Sequence, residues 1–222
     1  MNRSDAGSPS STTREALLDA AESLFAERGV ESTSVRDITK AAGANLGAVN
    51  YHFRSKDLLI LEVFARRLRP LNQQRLAGLD ELEATQIVPS LEEILRALIR
   101  PTVEDETSGK RRTDEFMRLI SRSFQESNEE LKTFMSGEFD EIIKRFDAAI
   151  LRAVPGLVKE ELFWRMTFLF GALHHGLERW TRFESMPIPP GLDPAHLRPD
   201  IEGFIQRFIT FAAAGMRAAA AL

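Results

Sequence analysis

Cysteine is absent from the 222-residue chain. That excludes disulfides, thiolate nucleophiles and cysteine-ligated zinc together. Histidine is scarce, with four in all, and only His174 and His175 are neighbours. Adjacent residues on a helix point about 100° apart, so these two cannot chelate one ion together. No Gly-rich phosphate loop and no nucleophile elbow occurs. No apolar run reaches membrane-span length; the nearest, Leu162 to Leu177, is broken by Arg165 and two histidines. No segment alternates apolar and polar residues long enough for a strand, and no repeat is visible. Met1 to Ser10 is small and polar, lacks the apolar core of a signal peptide, and is expected to be a disordered arm. A reducing cytoplasm is the expected compartment.

What is present is ordinary for a soluble helical protein: 43% hydrophobic and 28% charged residues. Net charge is −4, which is no general footprint of a nucleic-acid binder. Through Arg69 there are ten Lys/Arg against nine Asp/Glu; beyond it there are nineteen against twenty-four. Positive charge is therefore local: Arg36, Lys40, Arg54 and Lys56 gather around a single acid, Asp37. A local patch on an acidic body confines phosphate attraction to that patch.

The patch coincides with the most informative stretch of the chain. Ser34-Val35-Arg36-Asp37 has the Ser-x-x-acid spacing of a helix start. Val35, Ile38, Ala41 and Ala42 share one face behind it. Gly43 ends that helix, where a left-handed residue is needed. Asn45 is placed to cap the next helix, Leu46 to Phe53. In that second helix Val49 and Phe53 point inward. Small residues at Gly47 and Ala48 allow close approach to base edges. Asn50 suits adenine, and Ala48 suits a thymine methyl. Tyr51, His52 and Lys56 are within reach of phosphates, which set register without reading sequence. Two helices this short need a third to pack on. Residues 12–28 supply it, starting at the capping-box spacing Thr12-Thr13-Arg14-Glu15, with a stripe of Leu17, Leu18, Ala21, Leu24 and Phe25.

Residues 12–57 resemble the N-terminal domain of the TetR family of bacterial transcriptional regulators. The resemblance rests on Leu17-Leu18-Asp19-Ala20-Ala21-Glu22-Ser23-Leu24-Phe25, the Arg28-Gly29 exit, Ser34 to Ile38, Ala41-Ala42-Gly43, and Phe53-Arg54-Ser55-Lys56-Asp57-Leu58. It departs at Asn50, where many members carry Tyr; here the aromatic follows at Tyr51. The wording Asn45 to Phe53 is most similar to a branch that includes fatty-acid-responsive regulators. The resemblance implies an all-α protein with a three-helix helix-turn-helix head over 12–57 and a helical ligand-binding and dimerisation body over 58–222. It implies operator contacts among Ser34, Arg36, Asn45, Leu46, Gly47, Ala48, Asn50, Tyr51, His52 and Lys56, and repression relieved by an effector.

The body reads as helix throughout. Asp57 to Leu76 is expected to kink or end at Pro70. Further helices are expected over Ser90–Val103, Thr113–Gln125, Asn128–Ala153, Glu160–Glu184 and Asp200–Ala221. The helix at Glu160–Glu184 is apolar nearly all round, so it must be buried on more than one side. With Asp200–Ala221 it would close a four-helix interface about a two-fold axis. Phe163, Phe170, Leu177, Phe204 and Phe208 are the candidates there. The chain has 15 Phe and one Tyr, which suits an apolar effector cavity as well as plain core filling. Phe116, Ile120, Phe124, Phe168 and His175 are the candidate lining, with Arg118 or Arg122 for an anionic head group. Two readings of other classes remain open. His174 and Glu178, four apart, would give a metal-dependent helical enzyme two ligands, too few for a site. A helical adaptor that binds only protein is the other. No cofactor and no resident metal is expected.

Overall fold

A computed structural model describes residues 9–85, 87–107, 119, 128–183, 187–193, 197 and 199–219. All regular structure among them is helical, as the absence of alternating segments requires. Eight helices are described: α1 (Pro9–Arg28), α2 (Val35–Ala41), α3 (Gly47–Phe53), α4 (Lys56–Glu83), α5 (Leu91–Thr107), α6 (Glu129–Ala153), α7 (Lys159–Thr181) and α8 (Ile201–Arg217). Among the described residues no helix is long and apolar enough to cross a membrane. The expected helix over Thr113–Gln125 lies outside the described residues, except for the buried Leu119.

Besides α7 and α8, which end at Thr181 and Arg217, short of the expected bounds, three boundaries that differ from the sequence reading involve a proline. First, α1 begins at Pro9, ahead of the Thr12 spacing, because proline is well tolerated in a first turn that needs no N–H. Residues 9–11 are thus helix, not arm. Second, α4 runs through Pro70 to Glu83. Proline costs a helix one hydrogen bond and a steric conflict, but buried Leu68, Leu71 and Leu79 continue the apolar stripe across it. Third, α5 likewise carries Pro101 inside and ends at Thr107 rather than Val103.

The caps follow local chemistry more closely. Ser90 and Glu93 form the reciprocal box at the start of α5: the Ser90 N–H donates to the Glu93 carboxylate at 2.8 Å, and the Glu93 N–H donates to the Ser90 hydroxyl at 3.3 Å. Asp200 caps α8 by accepting from the Gly203 N–H at 2.7 Å. Gly156, with φ +90, ends the link after α6.

The chain divides into two compact units, residues 1–69 with 114–138, and residues 70–113 with 139–222. In the first, α1 packs on α2 and α3, and these pack on each other. Leu17, Leu18, Ala21, Phe25, Ile38, Val49, Phe53, Leu59 and Phe64 are buried. A polar seam joins α1 to α4. Arg66 donates to Asp19 at 2.7 Å and to Glu22, and Arg67 lies 3.4 Å from the other Glu22 oxygen. Burial works against the charge on Arg66, yet Glu22 and Asp19 outweigh it and raise its pKa.

In the second unit α5, α7 and α8 pack together around Leu95, Ile99, Leu173, Leu177, Ile205, Phe208 and Ile209. Arg75 is buried at the α4–α5 contact. It donates to the Leu98 carbonyl (3.1 Å), Asn72 Oδ1 (2.8 Å) and the Thr102 hydroxyl (2.7 Å), with no carboxylate among the described residues. Burial without a counter-charge pushes its pKa down to about 10.

Candidate nucleic-acid interface

Ser34 is the N-cap of α2 and closes a complete capping box with Asp37. The Asp37 N–H donates to the Ser34 hydroxyl at 3.2 Å, while the Ser34 N–H and hydroxyl donate back to the Asp37 carboxylate at 3.0 and 2.6 Å. Those donors, the hydroxyl first, hold the Asp37 carboxyl below its ordinary pKa. The α2–α3 turn depends on Gly43 at φ +63, a conformation that costs a residue with a Cβ. Its N–H donates to the Lys40 carbonyl.

Of the two short helices, α3 shows the more informative surface. Leu46, Gly47, Asn50 and Tyr51 are exposed, and Tyr51 is 79% accessible. They fall on one helical face, with the exposed Arg36 and Lys40 on neighbouring α2 and Arg54 at the end of α3. A tall, apolar-footed face with one amide and one phenol suits base edges flanked by phosphates.

Four sequence candidates take other places. Ala48 is only 7% accessible and turns inward with Val49, so it offers no methyl contact to DNA. His52 is half-buried on that same side, its ring 6.2 Å from the Phe53 ring. Asn45 does not cap α3: Leu46 holds the N-cap position in helical conformation, and Asn45 contributes its backbone carbonyl to the Ala48 N–H at 3.0 Å. Lys56 points back, its ammonium donating to the Val30 carbonyl at 2.8 Å, so it ties the start of α4 to the α1–α2 link. Lys56→Met is therefore expected to lower head stability by about 1.5 kcal/mol through loss of a charge-assisted bond, read as a denaturant midpoint. The salt dependence of DNA binding should hardly change. A salt slope lower by about one would return Lys56 to the phosphate contacts.

The backbone at the end of α3 carries no local sequence signal. Arg54, the C-cap of α3, has φ +68 and ψ −40, a conformation that side chains other than glycine rarely adopt.

The candidates in the body also sort by burial. On α7, Leu162, Leu169, Leu173 and Leu177 face the core, while Phe163, Trp164, Phe168 and Phe170 lie open. Phe168 is 66% accessible and His175 is exposed, so neither lines an interior cavity in this unit. Phe116, Ile120, Phe124, Arg118 and Arg122 lie outside the described residues. Leu177 and Phe208 belong to the chain's own core, whereas Phe204 is half-buried against Trp180 at 5.5 Å between ring centroids. His174 and Glu178 sit one turn apart on α7, and among the described residues no third ligand joins them.

A helix-turn-helix head with an open reading face, carried on an all-helical body, defines a class of DNA-binding regulators. Residues 17–63 match the family described as "Bacterial regulatory proteins, tetR family", and residues 96–215 match "Tetracyclin repressor-like, C-terminal domain". The chain belongs to the TetR family, whose members are transcriptional regulators and not enzymes. It is 37% identical over 99 residues to the HTH-type transcriptional regulator AcrR of Shigella flexneri, covering 42% of this chain and 43% of that one. It is 48% identical over 59 residues to the HTH-type transcriptional repressor KstR2 of Rhodococcus jostii, covering 27% and 29%. These alignments thus span less than half the length of either relative. The transcriptional regulator FadR of Bacillus subtilis, solved in complex with stearoyl-CoA, superposes with a TM-score of 0.63 over 90% of this chain and 98% of its own. At 15% identity that likeness establishes the fold alone.

Proposed function

We propose that this chain is a cytoplasmic, operator-binding transcriptional repressor. It acts as a homodimer and is released from DNA by a small apolar effector. The observation that carries the reading is the exposed face of α3, Leu46, Gly47, Asn50 and Tyr51, within the segment that matches the family's DNA-binding domain. In this account residues 12–57 read the operator, with Arg36 and Tyr51 on phosphates and Asn50 on a base. Residues 58–222 bind the effector and the second copy.

Asn50→Ala tests the assignment. It should relax preference at one base position per half-site and cost on the order of 1–3 kcal/mol. Tyr51→Phe should weaken all sequences about equally, since it removes a phosphate contact. Competition binding against a panel of operator variants separates the two. Equal, sequence-independent losses from both variants would make Asn50 a backbone contact.

For the effector, we infer a long-chain fatty acid or acyl thioester. The reading is supported by the phenylalanine-rich composition and by the stearoyl-CoA held by the Bacillus subtilis relative in fold. An effector must bind the DNA-incompetent state more tightly; equal affinity for both states shifts nothing, and a hundredfold preference supplies about 2.7 kcal/mol per site. Titrating the operator complex with acyl chains of increasing length should release DNA more strongly by up to ~0.8 kcal/mol per buried methylene until the cavity is full. Release by aromatic or cationic compounds but by no acyl chain would reject the ligand class.

A further inference from the structure

The first unit holds an open cleft of about 390 Å³ beside the helix-turn-helix. Residues of α1, the end of α3, α4 and the first turns of α6 line it, all within the first unit. Its wall carries three guanidinium groups, Arg14, Arg54 and Arg69, against one carboxylate, Glu62. Arg14 donates to Glu62 at 2.8 Å, and its guanidinium carbon lies 5.2 Å from the centre of the Phe53 ring. Arg69 donates to Glu138 at 2.9 Å and stands 5.8 Å from the centre of the Phe134 ring. Arg54 has no ion pair among the described residues and occupies the strained backbone position at the end of α3. Strain of that kind concentrates at binding sites, where surrounding structure sustains it.

With Arg14 and Arg69 each matched by a carboxylate, Arg54 is the cation left over, and the two matched guanidinium groups stand over phenyl rings. A guanidinium offers a planar fork that meets a carboxylate with two parallel bonds, and it stacks on aromatic planes. Phenyl rings accept a second ring offset or edge-on. A simple inorganic anion would satisfy the charge but leave the half-buried Phe134 ring uncovered. A neutral aromatic would fill the apolar part but leave Arg54 without its counter-charge. The volume lies at the small end for ligand cavities.

We propose that this cleft of the first unit is a second small-molecule site, distinct from the acyl-effector site inferred above, and that it takes a planar aromatic carboxylate. The carboxylate pairs with Arg54 and Arg69, and the ring lies against the half-buried Phe134. Because Phe53 and Arg54 form the end of α3, an occupant bears directly on the reading helix.

The test is a titration of the full chain with 2-naphthoate, followed by the NMR signals of the His52 imidazole, which lines the cleft. Its neutral isostere 2-naphthamide and inorganic phosphate serve as the comparison arms. Naphthoate should shift the His52 signals saturably. Naphthamide and phosphate should each bind at least about tenfold more weakly. Arg69→Gln removes one cation at an exposed position, and Leu58→Trp fills the cleft from an exposed position without changing its charge; each should weaken naphthoate by about tenfold or more. No shift at His52 in the millimolar range, equal binding of naphthamide, or equal binding of phosphate would overturn the proposal. So would unchanged affinity in both variants.

Discussion

Replacing Trp164 and Phe168 by Glu is expected to turn a dimer into a folded monomer. Both rings are open in the single chain, stacked on each other with centroids 6.1 Å apart. They belong to an aromatic face with Phe163 and Phe170, and α8 exposes Phe211, 65% accessible, beside Phe208. Exposed aromatic surface of this kind points to an interface. In a two-fold interface each residue counts twice. At about 2 kcal/mol per buried ring, one substitution already costs roughly 4 kcal/mol, or close to a thousandfold in dimer dissociation constant. Adding carboxylates raises the cost, because a charge would enter an apolar contact unpaired. Since neither ring contributes to the chain's own core, the variant should keep its helical content. Phe208→Glu is a poorer choice: Phe208 lies in that core, and its loss would unfold the body. Light scattering at micromolar concentration reads the outcome, and a wild-type chain that is itself monomeric would remove the interface from the account.

The second large effect is expected at Glu22. Its carboxylate lies between Arg66 and Arg67, with side-chain exposures of 6% for Glu22 and 3% for Arg67. Arg66 keeps Asp19, but removing the charge that lies between two largely buried guanidinium groups is expected to cost about 3–5 kcal/mol. Glu22→Gln keeps the shape and an acceptor oxygen, so the loss isolates charge. It should lower the denaturant midpoint by that amount, a large fraction of a small domain's stability. Asp19→Asn, at a far more exposed carboxylate on the same Arg66, should cost less than about 1 kcal/mol. A Glu22→Gln loss no larger than that would mean water reaches the guanidinium groups.

How far these features could be read beforehand depends on the range of the interaction behind them. The boxes at Ser34 and Ser90 and the turn at Gly43 are written within four residues, and they form as the spacing implies. The two-sided apolarity of the α7 segment was legible because it is a property of composition around one helix. The facing of Ala48 and His52 was not. Val49 and Phe53 define the inward direction, but the buried arc extends to one side of them, and packing on α1 and α2 decides which side. The extent of α4 past Pro70 was hidden for a similar reason: tertiary burial of Leu71 and Leu79 outweighs a local penalty. The Glu22–Arg66 pair spans 44 residues, and Arg75, with no carboxylate among the described residues, depends on what α5 brings to it; no local pattern announces either.

Two copies of this chain are expected to read a two-fold operator through α3. The most direct measurement is a footprint of the purified protein on a library of DNA fragments that includes its own upstream region, carried out at fixed salt. One preferred site is expected, with two inverted half-sites, their centres one helical turn or a multiple of about 34 Å apart. Asn50→Ala should alter preference at matching positions in both half-sites, and the Trp164/Phe168→Glu monomer should lose protection. Protection without sequence preference, or a single unpaired half-site held at full affinity by the monomer, would contradict it.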